Sequence, residues 1–492
     1  MVVAAITDDN AAAARRATVV GLREKLARLG GLAGAGALQR QPAGVDEEQG
    51  GRVRVSGQAW QPRTSVPRQP GFEAEETAAG MAWVRRIDVD MSALLAAAGA
   101  PRVASVDSLL RLTGVALPEC DAAAGGLDAE PGRQAGDPRI AVLDIESLGL
   151  RGSGVLAFLV GIGLQRGSCL QVHQVLLADP SDEAALLHAV LDRLDGCAVV
   201  VTYNGRTFDV PALRARCIVN RLGDRGLEGR PHCDLLGPVR RLFRDRLGAC
   251  TLRQAEIELL AMERIDDVPG FEAPGRYRAW LRGAGPDVLA GVVRHNELDL
   301  CATAVLGARL VAHVDGDMVY PVHAADCFRL AVHLDRRGAV RHDAAARAEH
   351  LLREAMSARA SPWDRRAAHR LAMRLRRRGG AGEQEALALW RDLWRSEPAD
   401  LRAARALAIA CERAGLLDEA IAVGERSLRI CEAMPAWRHA TLRGAPRGGW
   451  RDDWQRRLGR LTARRARSAR EQQRSSRPKR LPASAPLLPL SA

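Results

Sequence analysis

From Arg139 onward, apolar and polar positions fall into blocks with distinct periods. "RIAVLDIE" is a branched apolar run that ends in two carboxylates and reads as a strand. "VLAFLVGIGLQ" and "CLQVHQVLLA" read as two further strands. "PSDEAALLHAVLDRL" then switches to helical spacing, with Ser181 or Asp182 as the expected N-cap. "CAVVVTYN" predicts a fourth strand, and "VPALRARCIVNRL" a helix beginning at Pro211, a residue type suited to a first turn. Helical patterns continue through "LLGPVRRLFRDRL" and "TLRQAEIELLAM" and close with "VLAGVVRHNELDLCATAVLGARLV". Three meandering strands, a helix, a strand and a helix predict an α/β layered domain over residues 138–318.

The flanking segments differ in texture. Residues 1–79 are dominated by Ala, Gly, Gln, Arg and Pro, and bury too little to offset their chain entropy; a short helix around Val20–Leu29 is the exception. Residues 80–137 read as a small N-terminal extension, with "GMAWVRRIDVDM" and "VDSLLRLTG" followed by a loose linker. Over 322–440 the pattern is all helical. Segments ending at Gly338, Gly379 and Gly415 recur at spacings of 41 and 36 residues, near the tetratricopeptide period of about 34. The Trp residues at 363, 390 and 394 fit the core of such an array. Residues 441–492 read as a basic, disordered tail: from Arg443 to Arg480 there are 14 basic residues against three acidic ones.

Composition changes the picture only a little. The formal charge is +13, and Lys25 and Lys479 are the only lysines, so the excess is arginine. A positive balance suggests an acidic partner such as nucleic acid; the tail that carries most of it could equally be a solvated chain end. Ten scattered cysteines without C-x-x-C spacing argue against a zinc finger or redox dithiol and point to a reducing, cytoplasmic setting. No apolar run reaches the ~18–20 residues that span a bilayer, so no membrane partner is expected.

Three short stretches carry candidate chemistry. Asp144 and Glu146 are i and i+2 on a strand and share one face, where they repel each other unless a cation lies between them. A strand end meeting water would look the same. In "TYNGRTFDVP", Asp209 follows the fourth strand; it could cap a helix, but Asn204 and Phe208 stand close before it, and an aromatic beside a metal carboxylate could pack on a nucleobase. In "RHNELDL", His295 and Asp299 are i and i+4 on one helix face, as either a surface pair or a ligand with a proton acceptor. His232 and Asp234 in "HCDLL", and Asp266 and Asp267 before Pro269, read as a cap and a turn, with a place near the site as the alternative.

Taken in order, these stretches resemble a known pattern. "DIESLGL", "YNGRTFD" and "HNELDL" are similar to the three motifs of the DnaQ-like DEDD exonucleases, which have a ribonuclease H-like fold. "HCDLLGPVRRLF", "DDVPG" and the helical-repeat tail resemble the YprB-like group within them. The resemblance implies a mixed, five-stranded-type sheet with flanking helices, followed by an all-α, tetratricopeptide-like region. It implies a 3′–5′ exonuclease in which Asp144, Glu146, Asp209 and Asp299 hold two divalent cations, Mg²⁺ or Mn²⁺, and His295 accepts a proton. Ser147, Leu148, Asn204 and Phe208 would contact the substrate, with a single-stranded 3′ end as the implied partner. In place of the common "DIETTGL" this chain has Ser147 and Leu148, and His295 stands four residues before Asp299, the spacing usual for a tyrosine there. The rival readings are a ribonuclease H-like module that grips nucleic acid without cutting it, and a scaffold whose repeats recruit partner proteins.

Overall fold

Seven strands form one mixed sheet in the order β1-β2-β5-β4-β3-β6-β7. They are β1 (Glu73–Thr77), β2 (Gly80–Asp90), β3 (Ile140–Leu148), β4 (Leu156–Arg166), β5 (Cys169–Leu176), β6 (Val199–Thr202) and β7 (His232–Asp234). The computed structural model describes residues 69–116, 140–149, 155–223, 227, 229–317, 323–336, 344–357, 362–435 and 446–475. The expected helix at Val20–Leu29, the loose linker that ends the 80–137 extension, the expected helix end at Gly338 and the chain end lie outside these residues.

The branched, apolar strands β3, β4 and β5 make the antiparallel centre, and β6 and β7 add in parallel beside β3. The sheet is mixed with flanking helices, as expected, and two strands are added to the five: β2 from the N-terminal extension and β1 from the end of the 1–79 segment expected to be disordered. β2 pairs with β5 from Trp83↔Leu176 to Asp90↔Cys169, and β1 returns on β2 as a hairpin. Without β2, β5 would expose a row of unpaired backbone groups along its edge.

Helices cover both faces. On the side of Leu143 and Ile145 lie α3 (Glu183–Leu194) and α4 (Asp209–Val219). Asp182, one of the two expected residues, is the N-cap of α3 but makes no side-chain cap bond; a 3₁₀ turn over Pro180–Asp182 precedes the helix, and Asp179 caps that turn by accepting the Ser181 N–H at 2.9 Å. Helix α4 starts at Asp209, so Pro211 sits inside its first turn rather than at its start. The other face carries α1 (Ser92–Ala97), α2 (Val106–Thr113), α5 (Leu236–Leu247) and the short α6 (Leu252–Ala255), which runs into a π-helical turn over Glu256–Leu260. Helix α7 (Ala273–Leu281) leads to α8 (Asp287–Asp315), 29 residues long, which crosses the sheet and ends at Gly316 in the left-handed region.

One row across the sheet fixes where α8 sits. The registers align Arg85 on β2, Gln174 on β5, Gly161 on β4 and Asp144 on β3. Asn296 of α8 is fully buried over this row. Its amide donates to Asp144 Oδ2 at 2.8 Å and accepts from Gln174 Nε2 at 2.9 Å. Gln174 Nε2 also reaches the Val293 carbonyl at 2.7 Å, and Arg85 bonds both Gln174 Oε1 (2.5 Å) and Glu297 Oε2 (2.9 Å). A Cβ on Gly161 would lie 2.2 Å from Asn296 Oδ1, so the absence of a side chain there lets the amide reach the sheet.

Beyond the sheet, α9 (Ala324–Arg336), α10 (Ala344–Ser357), α11 (Pro362–Arg378), α12 (Ala381–Ser396), α13 (Leu401–Arg413) and α14 (Leu417–Ala433) stack one on the next around their own core. Gly379 and Gly415 have positive φ where the pattern placed helix ends. Trp390 is fully buried, and Trp363 lies under the Arg366 guanidinium at 4.6 Å. The array meets the sheet domain through Arg246–Asp326 (2.8 Å) and through Arg347, which donates to the His313 carbonyl at 2.7 Å. Part of the expected disordered tail is ordered: Gly449–Ser475 is helix α15. Trp450, Trp454 and Leu461 recur on one face of it and fill the array core, and Arg405 holds Asp453 at 3.0 Å. Counting charge hid this apolar stripe. No described helix is long and apolar enough to cross a membrane, and no disulfide forms among the described cysteines, most of which are buried.

The close approach at Gly161 has a measurable consequence. Gly161→Ala is expected to cost about 1–3 kcal/mol by overpacking, and clearly less once Asn296 is also alanine. Guanidinium denaturation of the four proteins of that cycle checks it; equal costs in both backgrounds would contradict the packing described.

Candidate active site

The carboxylates of β3, α4 and α8 converge at the carboxyl-terminal end of the parallel strands. This is also where the sheet order turns from β3 toward β4 on one side and β6 on the other, a place where open α/β sheets bind ligands. Asp144 and Glu146 share the face under α8, as their i, i+2 spacing predicts. The register slips between Glu146 and Ser147, which bends the strand end just past them. Leu148 packs partly against the core, so its side chain is less available to a substrate than its position suggests.

Asp209 is reached through a tight loop after β6. Asn204 takes φ 68°, tolerable for asparagine, and Gly205 follows. A Cβ on Gly205 would lie 2.8 Å from Asp209 Oδ2 and 2.7 Å from Thr202 Cβ. Asp209 makes no N-cap bond to its helix; its Oδ1 accepts the Ile145 N–H at 3.2 Å and so ties the loop to β3. Asp234, read from sequence as a cap, is the clamp of this loop. It accepts from the backbone N–H of Asn204 (2.9 Å), Arg206 (3.1 Å) and Leu236 (3.0 Å). Phe208 is partly packed against the core, and Asn204 is exposed, with its side chain accepting from Thr207.

His295 and Asp299 face the same site from α8, and their neighbours come from a segment that the sequence reading took for a turn. Asp267 Oδ1 lies 2.8 Å from His295 Nδ1. A carboxylate can only accept, so Nδ1 carries the proton and Nε2 is left as the acceptor in the neutral ring. Nε2 stands 3.7 Å from Asp299 Oδ2. Arg264, with only 4% of its side chain exposed, bonds Asp299 and Glu256 and reaches Asp267 at 3.1 Å. Glu256 has no exposure at all and sits on the π-helical turn, a rare element often found at functional sites. Arg264, Asp267 and Glu256 do not stand out in the sequence as a group, because the α8 partners that define them, Asp299 for Arg264 and His295 for Asp267, lie 35 and 28 residues away. The run "DDVPG" was the one available signal.

The electrostatics are those of crowded acids. Burial, and then the charges of Asp299, Asp209 and Glu146, raise Asp144 well above the usual carboxylate range, partly offset by the Asn296 hydrogen bond. Burial and the charges of Asp299, Asp209 and Asp267 push Glu146 up to about 8. Asp209 rises to about 7, chiefly by burial, against the backbone hydrogen bonds it accepts. Burial works to raise Asp267 too, but His295 and Arg264 outweigh it and hold it below the usual range.

Among the described residues, no three or more carboxylate, histidine or cysteine side chains stand in an arrangement that could hold a metal ion as they are placed. The donor set nevertheless fits a hard divalent cation. Asp144, Glu146, Asp209 and Asp299 supply only oxygens, and burial followed by the charge of neighbouring carboxylates makes Asp144, Glu146 and Asp209 resist ionisation without a counter-cation.

Of the comparisons with known proteins, the family model bears on this fold. Residues 141–311 match the family model of the RNase_H superfamily. Over 189 residues the chain is 32% identical to the uncharacterized protein YprB of Bacillus subtilis (strain 168); the match covers 38% of this chain and 46% of that protein, so the chain spans about half the length of that relative. A solved structure of the family B DNA polymerase from the hyperthermophilic archaeon Pyrobaculum calidifontis aligns at 16% identity with a TM-score of 0.29, over 41% of this chain and 29% of the polymerase.

The raised carboxyls set a pH dependence. Their ordinary values are 3.8 and 4.5, and in the folded chain Asp209 and Glu146 titrate near 7 and 8. The folded state therefore binds these protons more tightly, so the stability they contribute is complete below about pH 4 and lost as pH rises through about 7 to 8. In EDTA, thermal unfolding should give a lower midpoint at pH 8.5 than at pH 5.5, and added Mn²⁺ should raise the midpoint more at pH 8.5. A Mn²⁺ effect independent of pH would contradict the charge crowding.

Proposed function

We propose that this ribonuclease H-like domain is a divalent-cation-dependent 3′–5′ exonuclease acting on single-stranded nucleic acid. The observation that carries the reading is the convergence of four carboxylates from β3, α4 and α8 beside an Asp267–His295 pair. Asp144, Glu146, Asp209 and Asp299 would hold two divalent cations, Mg²⁺ or Mn²⁺, which when bound supply Lewis-acid stabilisation to phosphodiester hydrolysis.

The remaining roles belong to the chain itself. Asn296 fixes the Asp144 carboxylate through its 2.8 Å hydrogen bond, and is itself held by Gln174. Ile145 N–H orients Asp209, while Asp234 holds the loop that delivers it. Asp267 sets the tautomer of His295, so that Nε2 accepts a proton from the attacking water. Arg264, its guanidinium shared among Asp299, Glu256 and Asp267, holds Asp299 in place and offsets part of the negative charge of the acids. Hydrolysis at the terminal linkage would release a nucleoside monophosphate. Ser147 and Asn204 would contact the strand end.

A 3′-labelled single strand, RNA and DNA in separate reactions, should lose its label as mononucleotide with Mg²⁺ or Mn²⁺ present. Asp144→Ala should abolish this, and His295→Ala should lower kcat by about 10²–10⁴-fold. Binding of the strand by wild type with no cleavage under any of these divalent ions would instead identify a module that grips without cutting.

A further inference from the structure

Seven large apolar side chains stand exposed among the described residues, and three of them, Ile257, Ile265 and Phe271, lie on the one stretch that supplies Glu256, Arg264 and Asp267 to the site. Phe271 is 83% exposed and Ile265 is 80% exposed. Every other described aromatic side chain is at least partly buried. Phe208, the aromatic of the motif around Asp209, packs partly into the core.

This stretch is not a loose loop. Arg264 ties it to Asp299, and Asp267 ties it to His295. Val268 is buried against α8 at Gly291, where a Cβ would lie 2.4 Å from Val268 Cγ2. Gly270 passes so near the catalytic histidine that a Cβ on it would stand 3.9 Å from His295 Nε2. Phe271 follows directly. The chain therefore holds an exposed aromatic ring on an anchored backbone, one residue past the glycine that approaches the proton acceptor. An isolated exposed apolar side chain needs no explanation; one anchored at the rim of a catalytic centre has a flat partner within reach when the strand end is bound.

We infer that Phe271, assisted by Ile265, is the stacking platform for a nucleobase at the 3′ end of the bound strand. The inference rests on the nuclease reading and adds to it the part of the substrate that is gripped. Stacking on a single aromatic face tolerates any base, so it would supply affinity without sequence preference. The phosphate would be left to the cations that the acids hold, and the base to Phe271.

The test uses the full chain in an Asp144→Asn background, where turnover is prevented. Fluorescence anisotropy follows a 5′-labelled single strand, once with all bases present and once with the two 3′-terminal nucleotides abasic. Phe271→Ala should weaken binding of the intact strand about tenfold and leave the abasic strand unaffected, while Phe271→Trp stays within about twofold. In the active protein Phe271→Ala should raise KM and spare kcat, as loss of uniform binding does. An unchanged melting temperature is expected for so exposed a position. If the parent binds the intact strand and Phe271→Ala binds it equally well, or loses equally on both strands, the platform is wrong and the nuclease reading stands. If the parent binds no strand and wild type cleaves none, the nuclease reading falls and the platform falls with it.

Discussion

Like charge crowded into a partly buried space is the constraint on which the rest of this site depends. Asp144, Glu146, Asp209 and Asp299 come from three elements, and each of the first three is raised by burial and then by the charge of its neighbours. Such a cluster works against folding unless something fixes each carboxylate and something positive stands close. The chain meets both needs locally. Asn296 and the Ile145 N–H hold Asp144 and Asp209 by hydrogen bonds. Arg264 supplies a guanidinium to Asp299. A residual deficit of positive charge is what a divalent cation would fill.

The same constraint explains features of the fold that have no direct part in chemistry. Asn296 can reach Asp144 only because Gly161 has no side chain, and it keeps its orientation because Gln174 and Arg85 extend the polar row to β2. The N-terminal hairpin thus bears on the site from the far side of the sheet. Asp234 does similar work for Asp209 by gathering three backbone N–H groups at the turn after β6. Buried polar groups so connected are costly to leave half satisfied, which ties the position of α8 to the state of the acids.

Much of this was legible in the sequence, for identifiable reasons. The i, i+2 and i, i+4 spacings placed Asp144 with Glu146 and His295 with Asp299, because strand and helix geometry fixes which residues share a face. Glycines marked the helix ends at Gly379 and Gly415. What escaped were relations between distant segments. Nothing local to "GMAWVRRIDVDM" says that it pairs with β5, and nothing local to Arg264 says that its partners are Glu256 and Asp299. Phe208 looked like a base-stacking residue by its neighbours, yet its ring leans into the core, while Phe271 stands exposed. Charge count masked the Trp450–Trp454–Leu461 stripe that makes α15 a packed helix.

Proton release on cation binding probes the central claim most directly. Titration calorimetry with Mn²⁺, run in buffers of different ionisation enthalpy, counts the protons that leave the protein as the ion enters. Acids held protonated by burial and mutual repulsion must ionise to become ligands. Mn²⁺ binding at pH 6 should therefore release protons, the release should fall away by pH 9, and Asp144→Asn should diminish both binding and release. Tight binding with no proton release at pH 6, or no binding at any pH, would contradict a cation site built from these four carboxylates.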